Sequence, residues 1–157
     1  MTEPRQKPGK SKQDYGTPWN LIRAVEARFG RLDVDLAAHA DNTKAQRFIS
    51  PEEDSLVVPW AAHLGPALAW LNPPFADIEP WASKCLEETR ASSLRVVLLT
   101  PASVGSNWFA EHVHRRASVL ALSPRITYEG TTAPYPKDCM LSLFGFGAPG
   151  FDVWRWK

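Results

Sequence analysis

Ala67-Leu68-Ala69-Trp70-Leu71-Asn72-Pro73-Pro74-Phe75 is the stretch on which the arrangement of the whole chain turns. The apolar run from Ala67 to Leu71 leads straight into an asparagine, two consecutive prolines and an aromatic. A short apolar run closed by such a breaker reads as a buried strand with its loop at the carboxyl end. Pro73 holds Asn72 toward extended geometry, and Pro74 does the same to Pro73. The loop is therefore stiff, with a side-chain amide, a carbonyl oxygen and an aromatic face fixed relative to one another. Open α/β sheets bind ligands outside the carboxyl ends of their parallel strands, which makes this loop the first candidate site. A proline-stiffened turn with a packing phenylalanine is the plainer alternative.

Upstream, Leu32, Val34 and Leu36 alternate with Asp33 and Asp35, and Ala37 and Ala38 follow. This is the pattern of a strand with Asp35 near its carboxyl end. Small residues there admit a ligand close to the backbone, and a carboxylate can take hydroxyls or a cationic amine. On an edge strand the two aspartates would simply face water. Before this strand, Tyr15-Gly16-Thr17-Pro18 is a turn that opens a helix. Thr17 suits the N-cap and Pro18 the first helical position. Leu21, Ile22, Val25 and Phe29 then fall at helical spacing, and Gly30 is a stop signal. Asp41 to Arg47 is long enough for a helical turn capped by Asp41 or Asn42. Arg47 to Ser50 reads as a short strand and Pro51 to Leu56 as an acidic loop.

Downstream, Pro80 starts a helix whose buried side carries Trp81, Cys85, Leu86 and Thr89. Arg95 to Thr100 is a continuous apolar run, the mark of a strand covered on both faces. Asn107 to Arg116 is a further helix, presenting Trp108, Phe109, His112 and Val113. His112 and His114 do not share a helix face, and no acidic residue stands at metal-ligating spacing. Ser118 to Leu122 is a strand, Arg125 to Gly130 alternates like an exposed ribbon, and a proline-rich loop runs from Thr131 to Lys137. Met140 to Phe146 is a strand, with Phe151 to Trp156 pairing back onto it across Gly147-Ala148-Pro149-Gly150. The expected architecture is α/β: a small doubly wound, mostly parallel sheet with a C-terminal antiparallel hairpin.

At 157 residues, the chain is long enough for one domain with a real core. A net charge of +1 argues against a broad basic coat but permits a local positive face. The two cysteines, Cys85 and Cys139, have neither zinc-finger nor disulfide-scaffold spacing. No apolar run approaches the roughly 20 residues of a membrane span, and no signal peptide opens the chain. A cytoplasmic protein is the expectation. Residues 1–13, with Arg5, Lys7, Lys10 and Lys12, lack the apolar surface to order themselves. They read as a disordered or phosphate-clinging basic tail, followed by a single domain over 14–157.

Asn72-Pro73-Pro74-Phe75 resembles the catalytic loop of amino-methyltransferases, which methylate planar nitrogens. Together the pieces are similar to the phage-type DNA N-6-adenine methyltransferase family, the small Dam-like enzymes of phages and prophages. Tyr15-Gly16-Thr17-Pro18, Leu32 to Ala38, Asn42-Thr43-Lys44-Ala45 and Glu53-Asp54-Ser55-Leu56 with Trp60 stand in that family's order. So do Asn72 to Phe75, Pro80-Trp81, Leu99-Thr100-Pro101-Ala102, Trp108-Phe109 and Arg125 to Gly130. The resemblance implies a Rossmann-like class I methyltransferase sheet, S-adenosyl-L-methionine as methyl donor, and adenine in double-stranded DNA as acceptor. It implies no metal and no membrane, a monomer or weak dimer, and action in the cytoplasm of a bacterial host. The implied cofactor contacts are Thr17, Pro18, Asp35, Ala37, Asp54 and Asn72, with Glu52, Glu53 and Asp54 as alternatives for the ribose. Two departures stand out: Ala37-Ala38-His39-Ala40 replaces the usual glycine-rich turn, and Ala102-Ser103-Val104-Gly105 stands where relatives often carry an arginine.

On this reading Asn72, Pro73, Pro74 and Phe75 are the catalytic set. The adenine 6-amino group is a poor nucleophile because its lone pair is delocalised into the ring. The Asn72 side-chain oxygen and the Pro73 carbonyl would accept its two hydrogens, and Phe75 would stack on a base flipped out of the duplex. Candidate DNA contacts are Arg125, Thr127, Tyr128, Lys137 and the N-terminal lysines. The same loop chemistry also serves RNA amines and protein glutamines, and a non-catalytic DNA-binding relative is a rival from another class.

Overall fold

A computed structural model describes residues 16–157; the proposed basic tail, 1–13, lies outside the described residues. Among the described residues, the strands are β1 (Val34–Asp35), β2 (Arg47–Phe48), β3 (Leu68–Leu71), β4 (Arg95–Pro101), β5 (Ser118–Ser123), β6 (Cys139–Phe144) and β7 (Gly150–Arg155). They form one sheet in the order β2-β1-β3-β4-β6-β5-β7. The helices are α1 (Trp19–Phe29), α2 (Trp60–Leu64) and α3 (Glu79–Arg90), with a π-helical turn at Phe109–Val113.

Strands β1 to β4 run parallel, and β6 is antiparallel to both β4 and β5. The mostly parallel α/β sheet is therefore present, with its antiparallel pair in the C-terminal half. The partner of that pair differs from the expectation: β6 pairs with β5, and β7 lies parallel to β5 at the sheet edge. Both sides of β6 are already occupied, so β7 pairs instead with the open side of the neighbouring β5. Side chains fix it there. Phe146 and Trp154 pack edge-on against Phe29 of α1 at 5.4 and 6.1 Å, and the Trp156 indole donates to the Pro124 carbonyl.

Two apolar layers sandwich the sheet. Val96 and Leu98 of β4 face α3, the π-helical turn and Trp60, whereas Val97 and Leu99 face Leu21, Ile22 and Val25 of α1. This two-sided cover is what the unbroken apolar run of β4 implied. Each such side chain contributes about 1.5–3 kcal/mol by burial. Gly145 follows β6 at a φ of 83°, where a Cβ would stand 2.6 Å from the Leu94 carbonyl oxygen. Glycine is required there by both conformation and contact. No helix among the described residues is long and apolar enough to cross a membrane.

Three local readings change. β1 is not an edge strand; it lies between β2 and β3, and Asp35 is buried. Asp33 is exposed, yet its carboxylate accepts the Leu68 N–H at 2.8 Å, stitching β1 to β3. Arg125 to Gly130 is no ribbon: Ile126 and Tyr128 sink into the core while Arg125, Thr127 and Glu129 face outward. Alternation survives without a ladder because this segment bonds to loops instead, Tyr135 N–H to Ile126 and Glu129 N–H to Gly16. Finally, the acidic partner missing from the local spacing of His112 arrives from α3: Glu79 lies 2.8 Å from its Nε2.

Candidate active site

Parallel pairing sets β1 and β3 side by side with Asp35 opposite Trp70. The segments that leave these strands, Leu36-Ala37-Ala38 and Asn72-Pro73-Pro74-Phe75, therefore emerge together at one edge of the sheet. A cleft of about 300 Å³ opens between them, a size within the usual range for small-molecule sites. Thr17, Asp35, Ala37, Asp54, Asn72 and Pro74 all line it. The N-terminal turn, the first strand end, the acidic loop and the proline loop, scattered over the sequence, thus meet in one place.

Asp35 is 3% exposed. One of its oxygens accepts the Ala37 N–H at 3.3 Å and the other the Lys44 N–H at 3.0 Å. Burial pushes its pKa up to about 6, with these two backbone donors and the Lys44 charge pulling the other way. Near neutral pH it is mostly an ionised carboxylate short of solvation, the kind of group that gains most from an incoming cation.

Thr17 does not cap α1. The cap residue is Pro18, in extended geometry and without a capping side-chain bond, and the Asn20 side chain accepts the Leu21 N–H at 2.8 Å. The Thr17 hydroxyl is instead buried and accepts a hydrogen bond from the Asn72 amide nitrogen at 3.1 Å. That contact orients the amide. Pro18 itself is outside the cleft lining, as are Pro73 and Phe75. Phe75 lies on the other side of the loop, edge-on to Tyr135 at 6.2 Å, and Tyr135 in turn meets Tyr128 at 5.4 Å. The proline loop therefore lies between the cleft and an aromatic patch.

Of the three acidic candidates in the 52–54 loop, Asp54 alone lines the cleft. It holds a positive φ of 55°, and its carboxylate accepts the Leu56 N–H. Glu53 folds back onto the Ser50 N–H. Among the DNA-contact candidates, Thr127 and Lys137 are exposed. Arg125 pairs with Asp138 at 2.8 Å and not with Glu129. Tyr128 is only 4% exposed, and its hydroxyl lies 3.8 Å from the Cys139 sulfur. Its alternation with Ile126 places it in the core, which corrects its assignment as a DNA contact.

Gly16, Lys44 and Trp81 also line the cleft and had no assigned role. Gly16 could have been suspected from its turn; the Glu129 carboxylate, brought from far along the chain, occupies the space that a side chain would take there. Lys44, in a polar stretch, carries no local signal that it would be buried; the fold leaves it 7% exposed.

The family model described as DNA N-6-adenine-methyltransferase (Dam) matches residues 5–136. The chain is 30% identical over 102 residues to the DNA N-6-adenine-methyltransferase of Haemophilus phage HP1 (strain HP1c1), covering 64% of this chain and 57% of that protein. It is 27% identical over 113 residues to the DNA N-6-adenine-methyltransferase of Escherichia phage T1, covering 72% of this chain and 46% of that protein. The matched region thus spans about half the length of these curated relatives. The match to the family runs from the segment before α1 through the aromatic patch and takes in both strand ends of the cleft. This chain belongs to the DNA N-6-adenine-methyltransferase (Dam) family.

Proposed function

We propose that residues 14–157 act as a single methyltransferase domain that methylates the N6 amine of adenine in double-stranded DNA, using S-adenosyl-L-methionine. The observation that carries this reading is the convergence of Asp35 and Asn72 on one cleft from the ends of adjacent parallel strands. Asp35 suits the ammonium of the donor's amino acid part, and Ala37 lets that part approach the backbone. Asp54 is the acidic residue at hand for its hydroxyls. The buried, backbone-held carboxylate and the size of the cleft fit such a group. When bound, it supplies a methyl made electrophilic by a sulfonium.

The residues of this chain do the rest. Thr17 turns the Asn72 amide so that Oδ1 can accept one hydrogen of the target amine, and the Pro73 carbonyl accepts the other. The nitrogen becomes more tetrahedral and its lone pair is released from the ring. That lone pair would then take the methyl that the donor supplies, forming the N–C bond while the electron pair of the broken C–S bond stays on sulfur. The extra proton on nitrogen leaves to water. Alignment and fixed dipoles supply the rate. The aromatic patch of Phe75 and Tyr135 is suited to a flipped base, and Thr127, Lys137 and Arg125 to phosphates. The setting is the cytoplasm of a phage's or prophage's bacterial host.

The test is to incubate the purified protein with unmethylated duplex DNA and the donor, then digest and look for 6-methyladenine by mass spectrometry. The product is expected from the wild type and absent from Asn72→Ala. No product from the wild type overturns the reading.

A further inference from the structure

We infer that Lys44 binds the donor's carboxylate, forming with Asp35 a two-charge clamp that recognises a zwitterionic α-amino acid; this rests on the methyl-donor reading above. Lys44 stands on both sides of the arrangement. Its backbone N–H holds Asp35 Oδ2 at 3.0 Å, and its ammonium is close enough to act electrostatically on the Asp35 carboxylate. Both residues line the same cleft.

A lysine side chain only 4% exposed is costly unless its charge is used. The ion partner of Lys44, Glu129 at 3.2 Å, is itself 41% exposed and comes from the distant 125–130 segment. That pairing engages one of three N–H donors, and the Trp19 ring, 4.4 Å away, covers another side of the ammonium without accepting a proton. An ammonium so placed keeps donor capacity beyond these two contacts, and Lys44 is part of the cleft lining. A cation and an anion held side by side in a poorly solvated cleft complement a ligand end that carries the opposite charges. A bare nucleoside offers neither. The turn between β1 and β2 would therefore do with paired side-chain charges part of what a glycine-rich turn does with backbone amides, which gives the Ala37-Ala38-His39-Ala40 replacement a physical sense.

The experiment compares two ligands by calorimetry on the full chain: S-adenosylhomocysteine, which has the amino acid arm, and 5′-methylthioadenosine, which lacks it. Lys44→Met, and Lys44→Gln beside it, should weaken S-adenosylhomocysteine by about 10- to 100-fold, the loss of a hydrogen bond to a charged group. Binding of 5′-methylthioadenosine should change little, which also reports that the site is folded. Glu129→Gln should leave S-adenosylhomocysteine binding unchanged or tighter, since it releases the ammonium. An unchanged preference between the two ligands in both Lys44 variants overturns the assignment. So does equal weakening of both ligands by Glu129→Gln and Lys44→Met, the signature of a purely structural ion pair. A wild-type protein that binds neither ligand overturns the methyl-donor reading itself.

Discussion

The two strand ends that meet at the cleft solve the same problem in opposite ways. After β3, the site is built from adjacent residues: Asn72 and two prolines set the geometry locally, and a tertiary contact from Thr17 orients the amide. After β1, almost nothing is local. Asp35 sits at the end of a two-residue strand, and its second oxygen is held by Lys44, nine positions away. The side chain of Lys44 in turn leans on Glu129, which is 85 positions further on. The stiff end can present a reacting group to a substrate that comes and goes. The assembled end suits a charged ligand that completes it. On the proposed function, chemistry falls to the loop that the sequence itself rigidifies, and ligand charge recognition to the one that the fold must assemble.

Removing one side of this contrast at a time separates the two roles. The largest effect is expected from Asn72→Ala, which deletes the acceptor proposed to act on the reacting nitrogen. Methyl transfer should fall on the order of 100- to 1000-fold or more, with affinity for S-adenosylhomocysteine within about threefold. Radiolabelled transfer and calorimetry measure the two quantities, and a variant that keeps its rate removes Asn72 from the mechanism. Asp35→Ala should do the reverse. Affinity for the donor product should drop about 10- to 100-fold, as expected for losing a charge-assisted contact, while turnover at saturating donor is retained better than in Asn72→Ala. Unchanged affinity would contradict its role.

The third effect is one of pH. Because the Asp35 pKa is raised from 3.8 to about 6, the folded protein binds more protons than the unfolded chain between those values. The free protein therefore loses stability as pH rises through that window, by up to about 3 kcal/mol. Ligand affinity runs the other way: a cationic ligand needs the carboxylate, so affinity should fall about tenfold per pH unit below pH 6. Asp35→Asn should flatten both profiles, seen by thermal melts and calorimetry across pH. If it leaves either slope intact, another group is responsible. The smallest effect is expected from Thr17→Val, which keeps the buried volume and removes the oxygen that orients Asn72. Turnover should drop about three- to tenfold, the worth of one hydrogen bond, with little change in ligand affinity; equal loss of both would mean that Thr17 supports the cleft rather than the amide.

How far each element could be read follows the same division. β3, β4, α1 and α3 were legible because long apolar runs and helical periodicity are properties of contiguous residues, and burial of those faces decides the outcome. The partner of β7 was not. A glycine- and proline-containing connection after β6 suggests a hairpin, but strand pairing depends on which ladders remain open, and β5 and β4 had already taken both sides of β6. The 125–130 segment shows a subtler failure. Its alternation was real, with Ile126 and Tyr128 inside, but alternation alone does not reveal whether a neighbouring strand or a set of loops satisfies the backbone. The same limit applied to Tyr128, which carries a polar hydroxyl yet packs as core. Thr17 looked like a helix cap from its position before Pro18, and only the approach of the proline loop gave its hydroxyl another partner.

By itself, the sequence determined the strand and rigid loop around Asn72, the carboxylate near the end of the first strand, and the α/β class. These follow from nearest-neighbour sterics and from the spacing of apolar side chains. Only the tertiary structure decided that Asp35 is buried and held by Lys44, that Thr17 orients Asn72, and that Phe75 faces a separate aromatic patch. Those facts depend on which distant segments share one edge of the sheet, and on the low dielectric they create together, which no single segment carries.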